Sequence, residues 1–136
     1  MTVAQDCPHA PVSWGELLDK ITILQIKRER IASPLARANV QNELDLLRGV
    51  AGDAMRNAAL APLMGRLRRV NEDLWEIEDA IREHEVAENF GPSFVELARS
   101  VYRQNDLRAA IKRQINELLG SALIEEKSYA GWASAT

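Results

Sequence analysis

Apolar residues recur at Leu60, Leu63, Leu67, Val70, Leu74, Ile77 and Ile81, in alternating steps of three and four. That spacing predicts one long helix with a heptad-like seam, and the stretch 63–88, LMGRLRRVNEDLWEIEDAIREHEVAE, is the piece around which the chain is arranged. Before it, Ser13-Trp-Gly-Glu16 fits a capping box, flanked by Val12 and Leu17 as a hydrophobic staple, and opens a first helix running to about Ala32. Leu17, Ile21, Leu24 and Ile31 form its main apolar line, while Leu18, Ile23 and Ile26 lie off it, so this helix is buried on more than one side. The run Ile21–Leu24 could be read as a strand; segment length and the cap favour a helix. Ser33 caps a second helix with Pro34 at its first position, Val40, Leu44 and Leu47 as its stripe, and Gly49 or Gly52 at its end. Residues 53–62 are alanine-rich and form a helical lead-in or a loose connection, with Pro62 suited to the first turn of the long helix. Gly91 closes that helix, Ser93-Phe-Val-Glu96 reads as another capping box, and a fourth helix reaches Leu119 with Gly120 as its cap. The expected architecture is an all-α, single-domain bundle of about four helices with one long central helix. Residues 1–12 read as an irregular leader, 13–129 as the bundle and 130–136 as a frayed tail, with Glu-Glu-Lys-Ser-Tyr at 125–129 docking back on the bundle.

Composition narrows the classes of function without choosing one. A chain of 136 residues is one domain's length, and 46% hydrophobic with 27% charged residues is ordinary for a soluble globular protein. The net charge of -3 gives no basic excess, so nucleic acid is not an expected partner. No apolar run approaches the ~20 residues of a membrane span, and MTVAQDCPHAPVS has neither the basic start nor the apolar segment of a secretory signal. A cytoplasmic location is the expectation. Cys7 has no second cysteine to pair with, and Cys7 with His9 is too small a set for a metal site. No metal, cofactor or catalytic residue is assigned.

Charge is distributed unevenly. Residues 72–88 hold eight carboxylates against one arginine. Glu72, Glu76, Asp79 and Glu83 sit at helical spacing, as in helices that bind magnesium, but about 200° from the seam, which makes them a solvated face. Asn71, Trp75, Glu78 and Arg82 flank the seam by about 100° and form a polar edge beside a bulky aromatic, the kind of border a cleft has. The fourth helix is the more unusual. Followed by heptads it reads Phe94, Ala98, Val101, then Asn105, Arg108, Lys112, then Ile115 and Leu119: apolar ends around a cationic middle. Buried cations without partners cost several kcal/mol, so acids from neighbouring helices or an anionic ligand must compensate them. The alternative is a break at Asn105-Asp106, with Asp106 capping a new helix and Arg108 and Lys112 turned out to solvent. In the first helix Glu16 and Lys20 are spaced for an ion pair, and Asp19 suits the helix dipole. His84, on the extrapolated seam, reads as a partly buried structural residue. No Gly-rich phosphate loop, paired-cysteine zinc spacing or nucleophile motif is present.

WGELLDKITILQIK at 14–27, LWEIEDAIREHE at 74–85, FVELARSVYRQNDLRAAIKRQIN at 94–116 and EEKSY at 125–129 together resemble a small bacterial all-helical family of unknown function, associated with lipopolysaccharide and other surface-glycan gene neighbourhoods. The resemblance spans Val12 to Tyr129 and implies a cytoplasmic helical protein accessory to glycan assembly. It carries Glu16, Leu17, Asp19, Lys20, Trp75, Glu78, Asp79, Arg82, Arg99, Tyr102, Asn105, Asp106, Arg108 and Lys112 as motif positions. The leading expectation is a non-enzymatic interaction protein whose partner is another protein or its own copy. A second is a site for an anionic small molecule such as a nucleotide or sugar phosphate, drawn from Glu16, Lys20, Trp75, Glu78, Arg82, Arg99, Tyr102, Asn105, Arg108 and Lys112. A third is a small all-α enzyme, either a metal-dependent pyrophosphohydrolase or a chorismate-mutase-like isomerase.

Overall fold

The computed structural model describes residues 7–128. Four helices follow in order: α1 Trp14–Arg30, α2 Pro34–Ala51, α3 Leu60–Val86 and α4 Pro92–Leu119, with a short 3-10 turn at Gly52–Arg56. The all-α, four-helix expectation holds. Ser13 caps α1 by accepting from the Glu16 amide, and Ser33 caps α2 by accepting from Ala36, with Pro34 in the first turn. Gly52 ends α2 and Gly120, in the left-handed region, ends α4.

Two local expectations are corrected. Glu16 completes no capping box, because its carboxylate is drawn to Lys112 instead. The cap of α4 is Gly91 rather than Ser93, with no side-chain cap bond; Pro92, whose fixed φ suits the first helical position, starts the helix two residues earlier.

The core is one cluster in which Leu18, Ile21 and Leu24 of α1 meet Leu44 of α2, Leu67 and Leu74 of α3, and Ile111 and Ile115 of α4. α1 is the shared element: it packs on α2, α3 and α4, whereas α2 rests mainly on α1 and the 3-10 turn. α3 and α4 form a long antiparallel hairpin, paired along its length from Arg66–Gln114 to His84–Phe94. At about 1.5 Å per residue these helices are roughly 40 Å long, against about 25 Å for α1. The mismatch divides the hairpin. No residue of α3 after Leu74 and none of α4 before Ile111 is fully buried. The half that pairs the start of α3 with the end of α4 is built into the core, and the half from Trp75 through the turn to Gln104 projects as a two-helix arm.

Candidate functional site

α4 is continuous through Asn105-Asp106, and no seam position of its strict heptad, from Phe94 to Leu119, is exposed. Leu107 and Leu118, which the broken register would have turned inward, are exposed instead. The cationic middle therefore faces α1. Asp19, 1% exposed, receives a fork from Arg108: Nε donates to Oδ1 at 2.9 Å and a terminal nitrogen donates to Oδ2. Asn71 Nδ2 donates to the same Oδ1 at 2.9 Å and to Thr22 Oγ1 at 2.8 Å, and Thr22 returns its hydroxyl proton to the Asp19 carbonyl at 2.7 Å. One turn away, Lys112 Nζ donates to Glu16 at 2.7 Å and to Glu125 of the C-terminal segment at 3.1 Å. Next to that, Asn116 Oδ1 accepts from the Gly15 amide at 2.6 Å, one of the donors a helix start leaves free.

Glycine is required at position 15. A Cβ there would meet the Lys112 carbonyl oxygen at 2.6 Å and Asn116 Oδ1 at 3.0 Å, so only glycine lets the start of α1 approach the α4 backbone this closely. α1 is thus sewn to α4 by three polar rungs, Gly15–Asn116, Glu16–Lys112 and Asp19–Arg108, and to α3 by Asn71.

The electrostatics follow from these contacts. The hydrogen bond to Asp19 holds the Arg108 guanidinium above its ordinary pKa, against its burial. Burial opposes the charged Lys112, but the hydrogen bonds it donates to Glu16 and Glu125 outweigh it and raise its pKa. Lys112 in turn keeps the Glu125 carboxyl below the usual carboxylate range. The two inward cations, Arg108 and Lys112, face three carboxylates, Asp19, Glu16 and Glu125. No net positive charge is left for an anion.

Of the sequence-derived candidates, the structure brings Glu16, Asn105, Arg108 and Lys112 together around a cavity of about 220 Å³, closed on one side by Glu125 and Lys127. Lys20 borders a neighbouring cleft with Asp19 and Glu43, but its ion pair is with Glu43 of α2 at 3.1 Å rather than with Glu16. The other five lie elsewhere. Trp75 is half-buried beneath the Arg30 guanidinium, 5.9 Å from its ring centre. Arg82 pairs with Asp79 rather than with Glu78, and Glu78, Arg99 and Tyr102 are exposed on the arm. Asp19, Asn71, Thr22 and Asn116 join the cluster without having been candidates. Gly15, Asp19, Thr22 and Ile26 recur in steps of four, three and four, a second buried line of α1 on which Asp19 lies. Glu125 and Glu126 of the EEKSY segment dock on Lys112 and Arg113, as expected; Tyr129 lies outside the described residues.

Among the described residues no group of three or more His, Cys, Asp or Glu side chains is placed to hold a metal ion, and no helix is long and apolar enough to cross a membrane. The family described as a family of unknown function, DUF6165, matches residues 9–136. The chain belongs to that family. The DUF6165 match takes in every residue of the polar cluster and the whole arm. No curated protein and no solved structure matches the chain.

Proposed function

We propose that this DUF6165 protein is a non-enzymatic accessory protein that works by binding another protein chain through the α3–α4 arm. The observation that carries this reading is the division of the hairpin. Its inner half is fixed by the core and by an internally compensated polar cluster, while its outer half exposes an apolar tip. Val86 is 86% exposed, and Phe90 and Val95 are about half exposed. Phe90 stacks edge-on against Phe94 at 5.2 Å, which presents two aromatic rings at the turn. Exposed apolar and aromatic residues grouped at a projecting tip are the usual anchors of protein interfaces. The resemblance to proteins of surface-glycan gene neighbourhoods supports a role in polysaccharide assembly in the cytoplasm.

Anionic small-molecule binding is the second reading. The contact that favours it is Glu125 on Lys112, since a carboxylate from an irregular segment could give way to a phosphate. Three carboxylates balance the three cations there, Arg108, Lys112 and Lys127, which weighs against it. A photoreactive amino acid in place of Phe90, activated in living cells, should give adducts of higher mass. A thermal-shift panel of nucleotide sugars and polyphosphates should leave the melting temperature unchanged, because a ligand bound only by the folded state would raise it. No adduct together with a shift abolished by Arg108→Ala would reverse the order of the two readings.

A further inference from the structure

The chain after Gly120 returns along α4 without merging into it. Ser121 is tied in: its amide donates to the Asn116 carbonyl at 2.8 Å, and its hydroxyl oxygen accepts from the Trp14 amide at 3.2 Å. Beyond it, no backbone group of residues 122–128 pairs with the backbone of a helix. Every one of these residues is exposed, Leu123 and Ile124 included. The segment therefore has no buried apolar anchor, and ion pairs hold it. Glu125 sits on Lys112 at 3.1 Å, and an Arg113 terminal nitrogen donates to both Glu126 carboxylate oxygens at 3.1 Å. Such exposed pairs contribute little each, so the attachment is weak and reversible.

The seat is also larger than its occupant. A cavity of about 230 Å³ lies between the segment and α4, bounded by Asp106, Ala110, Arg113 and Asn116 of the helix and by Glu126. It adjoins the cavity beside Glu16 and Arg108, and Ala109, Lys112, Glu125 and Lys127 line both. Two alanines in the lining leave room that larger side chains would have filled. Among the described residues Glu126 is the only carboxylate on Arg113, and Glu125 is the second on Lys112 after Glu16. Lifting the segment frees two neighbouring cations beside a half-filled groove.

We propose that this groove is a docking site for an acidic segment of a partner protein, and that residues 121–128 occupy it as an internal competitor until the partner displaces them. The internal segment shows the chemistry that fits: two consecutive carboxylates on an irregular chain meet two consecutive bases, with Lys127 3.7 Å from Glu125. A partner with the same acidic pair and bulkier neighbours makes these contacts and fills the space beneath them. A compact anion such as phosphate matches the charge but neither the spacing nor the volume. The site lies on the inner half of α4 and does not depend on the reading of the arm.

The probe is a synthetic peptide of residues 121–128, SALIEEKS, and the readout is backbone-amide NMR of the full chain. Glu125→Gln with Glu126→Gln loosens the internal segment, and circular dichroism establishes that the variant is folded. Millimolar peptide should shift amides of residues 109–116 in this variant and leave those of the core unmoved. Wild type should respond about tenfold more weakly, because a tethered competitor acts at an effective concentration in the millimolar range. Glutamine at both acidic positions of the peptide, or Arg113→Gln added to the variant, should remove the response. No shift in the variant up to about 5 mM peptide, an equal response in wild type, or an equal response to the glutamine peptide overturns the inference. Pyrophosphate moving the same amides where the peptide does not overturns it in favour of a small anion.

Discussion

Replacing Arg108 with methionine removes the fork that neutralises Asp19 and keeps a similar apolar volume. Asp19 is 1% exposed, so its charge has no route to water, and Asn71 supplies only one remaining side-chain hydrogen bond. Stranding one member of a buried pair costs about 3–5 kcal/mol. With an m-value of about 2 kcal/mol/M, the urea midpoint should fall by roughly 1.5–2.5 M, read from helical ellipticity and tryptophan fluorescence. The reverse change, Asp19→Asn, should cost less, because the Arg108 side chain is 29% exposed and can turn to solvent. The double variant should be more stable than Arg108→Met alone, since no charge is then left buried. An Arg108→Met variant within 0.5 kcal/mol of wild type, or a double variant whose loss is the plain sum of the singles, would refute the pair as a lock.

Other consequences are separable. Gly15→Ala should destabilise by about 1–3 kcal/mol despite alanine's better helix propensity, since its Cβ would strike the Lys112 carbonyl. Gly65→Ala, with nothing within 4 Å of the added carbon, should stabilise α3 by about 0.5–1 kcal/mol, and thermal melts of the two variants check the contrast. Glu125, whose folded pKa is depressed by Lys112, holds the C-terminal segment in place above the ordinary carboxylate range and releases it as pH falls through the depressed value. A carboxyl-carbon NMR titration should place Glu125 below an ordinary glutamate in wild type and return it to the ordinary range in Lys112→Met. An unshifted Glu125 in the wild type would mean that the segment is not docked.

Much of the architecture is legible in the sequence because the apolar spacing and the caps agree. The seam from Leu60 to Ile81 lies inward along its whole length, and the heptads of α4 continue through their polar centre. The partners of that centre are harder to read. Asp19 stands two residues past Leu17, which on the main stripe of α1 is the solvent side; it is inward only because α1 is covered on two sides. The apolar residues Leu18 and Ile26 give that second face away, but which charged residue shares it depends on how α1 crosses α3 and α4. Pairing by sequence spacing also fails where another partner is better placed. Lys20 goes to Glu43 of the neighbouring α2, and Arg82 goes to Asp79, three residues before it in α3, rather than to Glu78 four before it. The candidates at Arg99 and Tyr102 lie on the arm because helix length, not periodicity, decides where α1 stops covering the hairpin.

The separation of the molecule into a locked inner half and a projecting arm is tested most directly by hydrogen exchange of dilute protein, followed segment by segment. Amides of residues 15–24, 67–74 and 108–116 should exchange only through global unfolding. Those of 77–104 should open at a distinctly lower free energy. Uniform protection along both long helices would mean that the hairpin is one cooperative unit with no free working half, and would contradict the account.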